Sequence, residues 1–167
     1  MILAYGLRRG EIAGLRWSDI DDAAGIIHIR NQRQYVQGKG LIDSTPKSDA
    51  GMRDLPLLPE ICAMLDSRAL MHDIGADPSP YVFGGISPSS INHALSRDCK
   101  LLGLPPITVH GLRHTMAALA MTQHQSIRVL QSVLGHASVS TTARVYAHVD
   151  LDPQRDLCSA VSTSWLY

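Results

Sequence analysis

A chain of 167 residues has room for one domain with a real core, and an apolar fraction of 45% is that of an ordinary globular protein, not a disordered one. Fifteen basic and fifteen acidic side chains cancel, so composition gives no support to a uniformly basic nucleic-acid binder. The apolar runs fall far short of the roughly 20 residues of a membrane helix, and the scattered cysteines Cys62, Cys99 and Cys158 make no C-x-x-C pair; the reading is a cytoplasmic protein with reduced thiols and no membrane association.

Met1 to Arg16 reads as one helix, with Ile2, Leu3, Leu7, Ile12 and Leu15 on its inner face. No Ser, Thr, Asp or Asn precedes the apolar run as a cap, which suggests a helix whose start is cut short and a chain that is the C-terminal part of a longer protein. "MILAY" is too short for the apolar region of a signal peptide, and Arg8 and Arg9 follow it instead of preceding it. "GIIHIRNQRQYV", Gly25 to Val36, has strand character. A "GKG" turn, a short strand "LIDSTP", a turn "KSDAG" and a strand "MRDLPL" follow, and together they predict a three-stranded antiparallel sheet inserted as a meander. Pro59 opens a helix with Ile61, Leu65 and Leu70 inward. A loop rich in Pro, Gly and Ser leads into "SSINHALSRDCKLLG". Three more helices are predicted, at about His110 to Thr122, Ser126 to Leu134 and Val139 to His148. The fold class is therefore mainly α with a small antiparallel sheet, an α+β domain.

Four stretches carry candidate chemistry. In "YGLRRGEIAGLRWSDID" the arginines, read alone, are most simply the polar face of a helix. Lys47 of "TPKSDAGMRDLPL" sits in a turn, where lysines are usually just solvated. In "VHGLRHTMAALAM" His110 and His114 have the spacing of a helical metal pair, but the glutamate of H-E-x-x-H is missing and Arg113 would stand beside the cation. The alternative sets His110 and Arg113, three apart, on one face as a proton carrier beside a fixed charge. In "LGHASVSTTARVYAH", Tyr146 is either a core tyrosine or a nucleophile, and His136 either a loop residue or a site residue. Taken together these pieces make a phosphoryl-transfer apparatus. Two guanidinium forks suit the non-bridging oxygens of a phosphodiester. A tyrosine hydroxyl can attack phosphorus, while a lysine and histidines move protons. Fixed cations meet the transition-state charge, so no metal or other cofactor is required.

"GLRRGEIAGLRWSDID", "TPKSDAGMRDLPL", "HGLRH" and "LGHASVSTTARVYAH", in this order and with about thirty residues between the "HGLRH" arginine and the tyrosine, resemble the catalytic domain of tyrosine recombinases, the phage integrase family. The resemblance runs from about Ile2 to His148. It implies Arg8 and Arg113 as the arginine pair, Glu11 as the acidic support, and Lys47 as general acid toward the 5′ oxygen. It likewise implies His110 as partner of Arg113, His136 on the scissile phosphate and Tyr146 as nucleophile. The implied activity is site-specific recombination: Tyr146 forms a 3′-phosphotyrosyl link, and the 5′ hydroxyl of a partner strand then attacks it, without metal or ATP. The implied partners are double-stranded DNA and other recombinase protomers, a monomer in isolation becoming a tetramer on paired sites.

On this reading residues 1–149 are the catalytic domain, and residues 150–167 are a tail whose Leu157, Val161 and Trp165 either dock on a neighbour or pack on their own domain. The core-binding domain that such recombinases carry N-terminally is not in the sequence. Candidate DNA contacts are Arg30, Arg33, Lys39, Arg53, Arg97, Lys100 and Arg144, with the acids of "DIDD" placed elsewhere. Two other readings stand beside it: a DNA-binding fragment or prophage remnant that does not cut, and a type IB topoisomerase-like activity.

Overall fold

The computed structural model of the chain describes residues 1–46, 49–73, 79–123 and 126–135. The predicted N-terminal helix is two helices, α1 (Ile2–Tyr5) and α2 (Arg9–Gly14), broken where Gly6 adopts φ 61°, ψ 31°. Its N–H closes α1 on the carbonyl of Ile2 at 2.8 Å. A left-handed residue there suits only glycine, and a Cβ would also strike Leu134. Arg8 then runs extended, and its N–H donates to the Glu11 carboxylate at 2.9 Å, starting α2. Leu7, Ile12 and Leu15 are buried as the apolar spacing predicts, whereas Leu3 is 48% exposed.

The β region departs from a single meander. Strands β1 (Ile20–Asp21), β2 (Ile26–Ile29) and β5 (Arg53–Pro56) form a three-stranded antiparallel sheet in the order β1-β2-β5, with Ile27 opposite Leu55 and Ile29 opposite Arg53. Strands β3 (Gln32–Val36) and β4 (Gly40–Ser44) pair only with each other, with Gln34 opposite Ile42. The long strand predicted over Gly25 to Val36 thus divides after Ile29. The reason lies in its side chains: Ile27 and Ile29 are buried, but Tyr35 and Leu41 of the hairpin are 68% and 40% exposed, so nothing holds β3 on the core sheet. The hairpin turns through Gly38 and Gly40, both with φ near 77°.

Gly10 and Gly14 are four apart on α2, and they let the β3 backbone approach. A Cβ at either would lie 2.9 to 3.0 Å from backbone atoms of Arg33 or Gln32. This open end of the hairpin is also fastened by polar contacts. Asp43 accepts from Arg33 Nε at 2.9 Å, Arg16 at 2.9 Å and the Tyr81 hydroxyl at 2.5 Å, while Arg33 stacks 3.9 Å from the Tyr81 ring centre.

Helix α3 (Pro59–Asp73) buries Ile61 and Leu65, but Leu70 is 61% exposed, against the sequence reading. Five positions beyond Leu65 is about 140° off the inner face at 100° per residue. Helix α4 (Pro88–Leu101) is capped by Ser87, whose hydroxyl accepts from the Ser90 N–H at 3.1 Å. Helix α5 (Val109–Thr122) packs on α1, and α6 (Ile127–Leu134) ends at Gly135 with φ 63°. Leu7, Leu15, Ile27, Ile29, Leu55 and Val82 form the centre of the core, and Ala117, Leu130 and Leu134 a smaller one under α5 and α6. Among the described residues no helix is long and apolar enough to cross a membrane. The helix predicted at Val139 to His148 and the tail lie outside the described residues.

Candidate active site

The break at Gly6 turns the chain so that Arg8 stands at the N-terminus of α2 with Glu11 one turn on. Glu11 is 2% exposed. Arg8 Nη1 donates to Glu11 Oε1 at 2.6 Å. From the other side Arg53 of β5 meets the same carboxylate as a fork, Nη1 to Oε1 at 3.1 Å and Nη2 to Oε2 at 3.0 Å. Burial works to raise the Glu11 carboxyl, but the hydrogen bonds and charges of Arg53 and then Arg8 outweigh it and hold the group below its ordinary value.

Arg113, 5% exposed, projects from α5 into the same region. Its Nη1 donates to the Gly6 carbonyl and its Nη2 to the Leu134 carbonyl at 2.6 Å. Burial first, then the nearby charge of Arg8, pushes Arg113 down to about 10; Glu11 acts in the opposite sense and Arg53 in the same one, and the group remains a cation at neutral pH. Thr108 caps α5 by accepting from the Gly111 N–H at 3.0 Å, and Asn92 of α4 accepts from the Val109 N–H at 3.2 Å, so the first turn of α5 is held from two sides. His110 stands on that turn. Its ring is lowered below the ordinary histidine value by partial removal from water, then by His114 and Arg113.

Arg8, Arg9, His110 and Arg113 line one cleft of about 510 Å³, with Asn92 and Thr108 on its wall. A cleft lined by several cations and a titratable imidazole is suited to an anion whose charge grows during reaction. The sequence placed Arg8, His110 and Arg113 in one site, and the structure brings these three together with Glu11 beneath Arg8. Lys47, His136, Arg144 and Tyr146 lie outside the described residues.

The expected DNA contacts divide. Arg53 is 8% exposed, with Nε on the Val133 carbonyl at 2.6 Å and the rest of its fork on Glu11 and the Gly51 carbonyl. It supports the site from within and is not an exposed contact. Arg33 has its Nη1 on the Gly85 carbonyl at 2.7 Å and its Nε on Asp43, and so serves to fasten the hairpin. Both corrections have one cause: spacing along a strand does not reveal which carboxylate or carbonyl lies across from an arginine. Arg30 is half-exposed and paired with Asp54 at 2.6 Å, Arg97 is exposed beside Asp98, and Lys39 and Lys100 are exposed. Sequence reasoning missed Arg9, Asn92 and Thr108 in the cleft; a threonine directly before a helical apolar run is a capping signal that could have found Thr108. Among the described residues no group of three or more His, Cys, Asp or Glu side chains is placed to hold a metal.

Residues 1–152 match the family model described as the phage integrase family. The ICEBs1 integrase of Bacillus subtilis is 29% identical over 163 residues, covering 91% of this chain and 44% of its own length. A tyrosine recombinase XerC of Thermodesulfovibrio yellowstonii is 30% identical over 156 residues, covering 90% and 48%. This chain therefore spans less than half the length of these two relatives. The Tn1549 transposon integrase, solved in complex with transposon right end DNA, shares the fold with a TM-score of 0.82 at 23% identity over 96% of this chain and 56% of that one. The XerA recombinase superposes with a TM-score of 0.70 at 29% identity, covering 95% and 55%. With the family model matching nearly the whole chain and the fold shared with these recombinases, the chain belongs to the phage integrase family.

Proposed function

We propose that this chain is the catalytic domain of a site-specific DNA recombinase that cuts and rejoins strands through a 3′-phosphotyrosyl intermediate on Tyr146. The observation that carries the reading is the convergence of Arg8, His110 and Arg113 on one cleft. The two guanidinium groups hold the non-bridging oxygens of the scissile phosphodiester. The Tyr146 oxygen bonds to phosphorus as the P–O5′ bond breaks. His110 takes the tyrosine proton, Lys47 protonates the leaving 5′ oxygen, and His136 contacts the phosphate. In the second step a partner strand's 5′ hydroxyl attacks phosphorus, giving its proton back to Lys47, while the P–O bond to tyrosine breaks and His110 returns the proton to the tyrosine oxygen. The ester stores the bond energy, and fixed cations meet the phosphoryl charge, so the scheme uses neither ATP nor a metal.

The partners in this reading are double-stranded DNA and further protomers, a monomer in isolation assembling as a tetramer on paired sites, with residues 150–167 as a docking segment, in the cytoplasm. Arg30, Lys39, Arg97, Lys100 and Arg144 are the proposed phosphate contacts. Support comes from the relatives named for integration and recombination and from the Tn1549 integrase solved on DNA.

The test is a duplex nicked beside the cleavage position, so that the released strand cannot religate. A covalent protein–DNA adduct that survives denaturation, and is lost in Tyr146→Phe, is the expected result. No adduct on the transferred element's own end sequences, with folded protein, would refute enzymatic cleavage by this chain; relaxation of plasmid lacking such sequences would favour a topoisomerase.

A further inference from the structure

The two imidazoles of α5 are in direct contact. His110 Nε2 and His114 Nε2 lie 2.7 Å apart, with the rings edge to face at 86° and their centres 4.2 Å apart. At that distance one hydrogen lies between the facing nitrogens, because two would repel. A metal bridging both does not fit: bonds of about 2.0–2.1 Å at tetrahedral angles set two nitrogens roughly 3.3 Å apart.

Among the described residues lining the cleft beside His110, the charged side chains are all arginines, and the Glu11 carboxylate lies beneath Arg8, outside that lining. Arg113 shares its helix, Arg8 just before α2 and Arg9 at its start line the same cleft, and α4 contributes to that lining only the neutral amide of Asn92. Among the described residues lining this cleft there is no carboxylate to accompany an imidazolium. Arg113 and His114 both act to keep the His110 ring neutral, as does its partial removal from water. A base placed there has reason to pass its proton on.

We propose that His114 is a positioning residue acting through His110, receiving at its Nε2 the hydrogen of His110 Nε2 while His110 takes the nucleophile's proton at Nδ1. The inference rests on the recombinase reading above. In the resting pair His110 carries hydrogen on Nε2 and donates it to His114, whose own hydrogen is on Nδ1. When the tyrosine O–H bond breaks, an N–H bond forms at His110 Nδ1 and the Nε2 hydrogen crosses to His114. His110 stays neutral beside Arg113, and the positive charge resides one helical turn away. Rejoining runs the same transfers backwards and returns the proton to the tyrosine oxygen.

Two measurements on the 167-residue chain test this. Nitrogen-15 spectra at neutral pH report which ring nitrogen carries hydrogen, and the expected result is His114 in the Nδ1–H form, reverting to the common Nε2–H form in His110→Gln. Both rings in the Nε2–H form in the parent would overturn the pairing. Adduct formation on the nicked duplex is then timed in His114→Gln, which keeps an acceptor for the His110 hydrogen but cannot take the proton. Proton transfer contributes roughly 10²–10⁴-fold, and loss of the onward step is expected to slow the reaction about tenfold, with the spectrum of a folded protein retained. A parental rate in His114→Gln would overturn the relay. No adduct from the parent, with the Nδ1–H form present, would instead overturn the recombinase reading.

Discussion

Replacing Arg53 by methionine tests whether the first arginine of the cleft depends on a buried ion pair. The substitution nearly preserves volume, so its cost is electrostatic and not a cavity. It removes the fork on Glu11 and the bonds to the Val133 and Gly51 carbonyls. Breaking a buried pair by deleting one partner costs about 3–5 kcal/mol. Arg8 still donates to Glu11 through its backbone N–H and Nη1, which places the expected loss near the lower end, about 3 kcal/mol. Urea unfolding of Arg53→Met against the parent measures it.

The pH dependence makes the test specific. In the parent the Glu11 carboxyl lies below its ordinary value of 4.5. That stabilisation is fully present above the unfolded value and is lost as pH falls through the folded one. Without Arg53, burial, the largest influence on Glu11, lifts the carboxyl above its unfolded value. The variant's folded state then binds the extra proton and gains stability as pH falls toward 4.5, where the parent is flat. The deficit is therefore expected to be widest at about pH 7.5 and smaller at about pH 5. A loss below about 1 kcal/mol, the size of an exposed pair, or a deficit unchanged between those pH values, would refute the picture of Glu11 as a buried anion held by Arg53.

Gly6→Ala places a Cβ in a left-handed residue and against Leu134; a loss of about 2 kcal/mol and a Tm lower by about 4–8 °C are expected by calorimetry. Asp43→Asn removes the charge that Arg16, Arg33 and Tyr81 share. Amide exchange across β3 and β4 is expected to quicken about tenfold, the equivalent of roughly 1.4 kcal/mol of bonds to a charged group, while exchange in β2 and β5 stays unchanged.

Much of the fold was legible because local signals and burial agree. Leu7, Ile12 and Leu15 are buried as their helical spacing requires, and Ile27 and Ile29 alternate onto the core. The failures occur where long-range contact decides. Nothing within Met1 to Arg16 announces that Leu134 presses on Gly6 or that Arg113 takes the Gly6 carbonyl, yet those contacts divide the helix. Residues Gln32 to Ser44 have the composition of a sheet strand pair, but they pair with each other apart from β2 and leave Tyr35 and Leu41 exposed, away from the core. In the site, residue types in order pointed to Arg8, Glu11, His110 and Arg113. Arg53 was misread because its partner Glu11 is 42 positions away. His114 was weighed only as a ligand, and the geometry instead makes it a neighbour of His110 at hydrogen-bond distance.

The end of α6 ties these observations together. The last carbonyls of a helix lack intrahelical partners and carry its negative pole. Here three consecutive ones accept from arginines of three different elements: Val133 from Arg53 of β5, Leu134 from Arg113 of α5, and Gly135 from Arg8 before α2, the last at 2.8 Å. A Cβ at Gly135 would lie 2.7 Å from Arg53 Nη1, so only glycine leaves room for the approach. The chain departs for His136 from this point. The two arginines proposed to hold the phosphate are thus bonded to the end of α6, and the third holds the carboxylate beneath Arg8. A guanidinium has five donors, so Arg8 and Arg113 can meet a phosphate while keeping a bond to α6. An anion in the cleft is thereby met by arginines already anchored to the end of α6, and losing Arg53 removes one of the three bonds that hold that end.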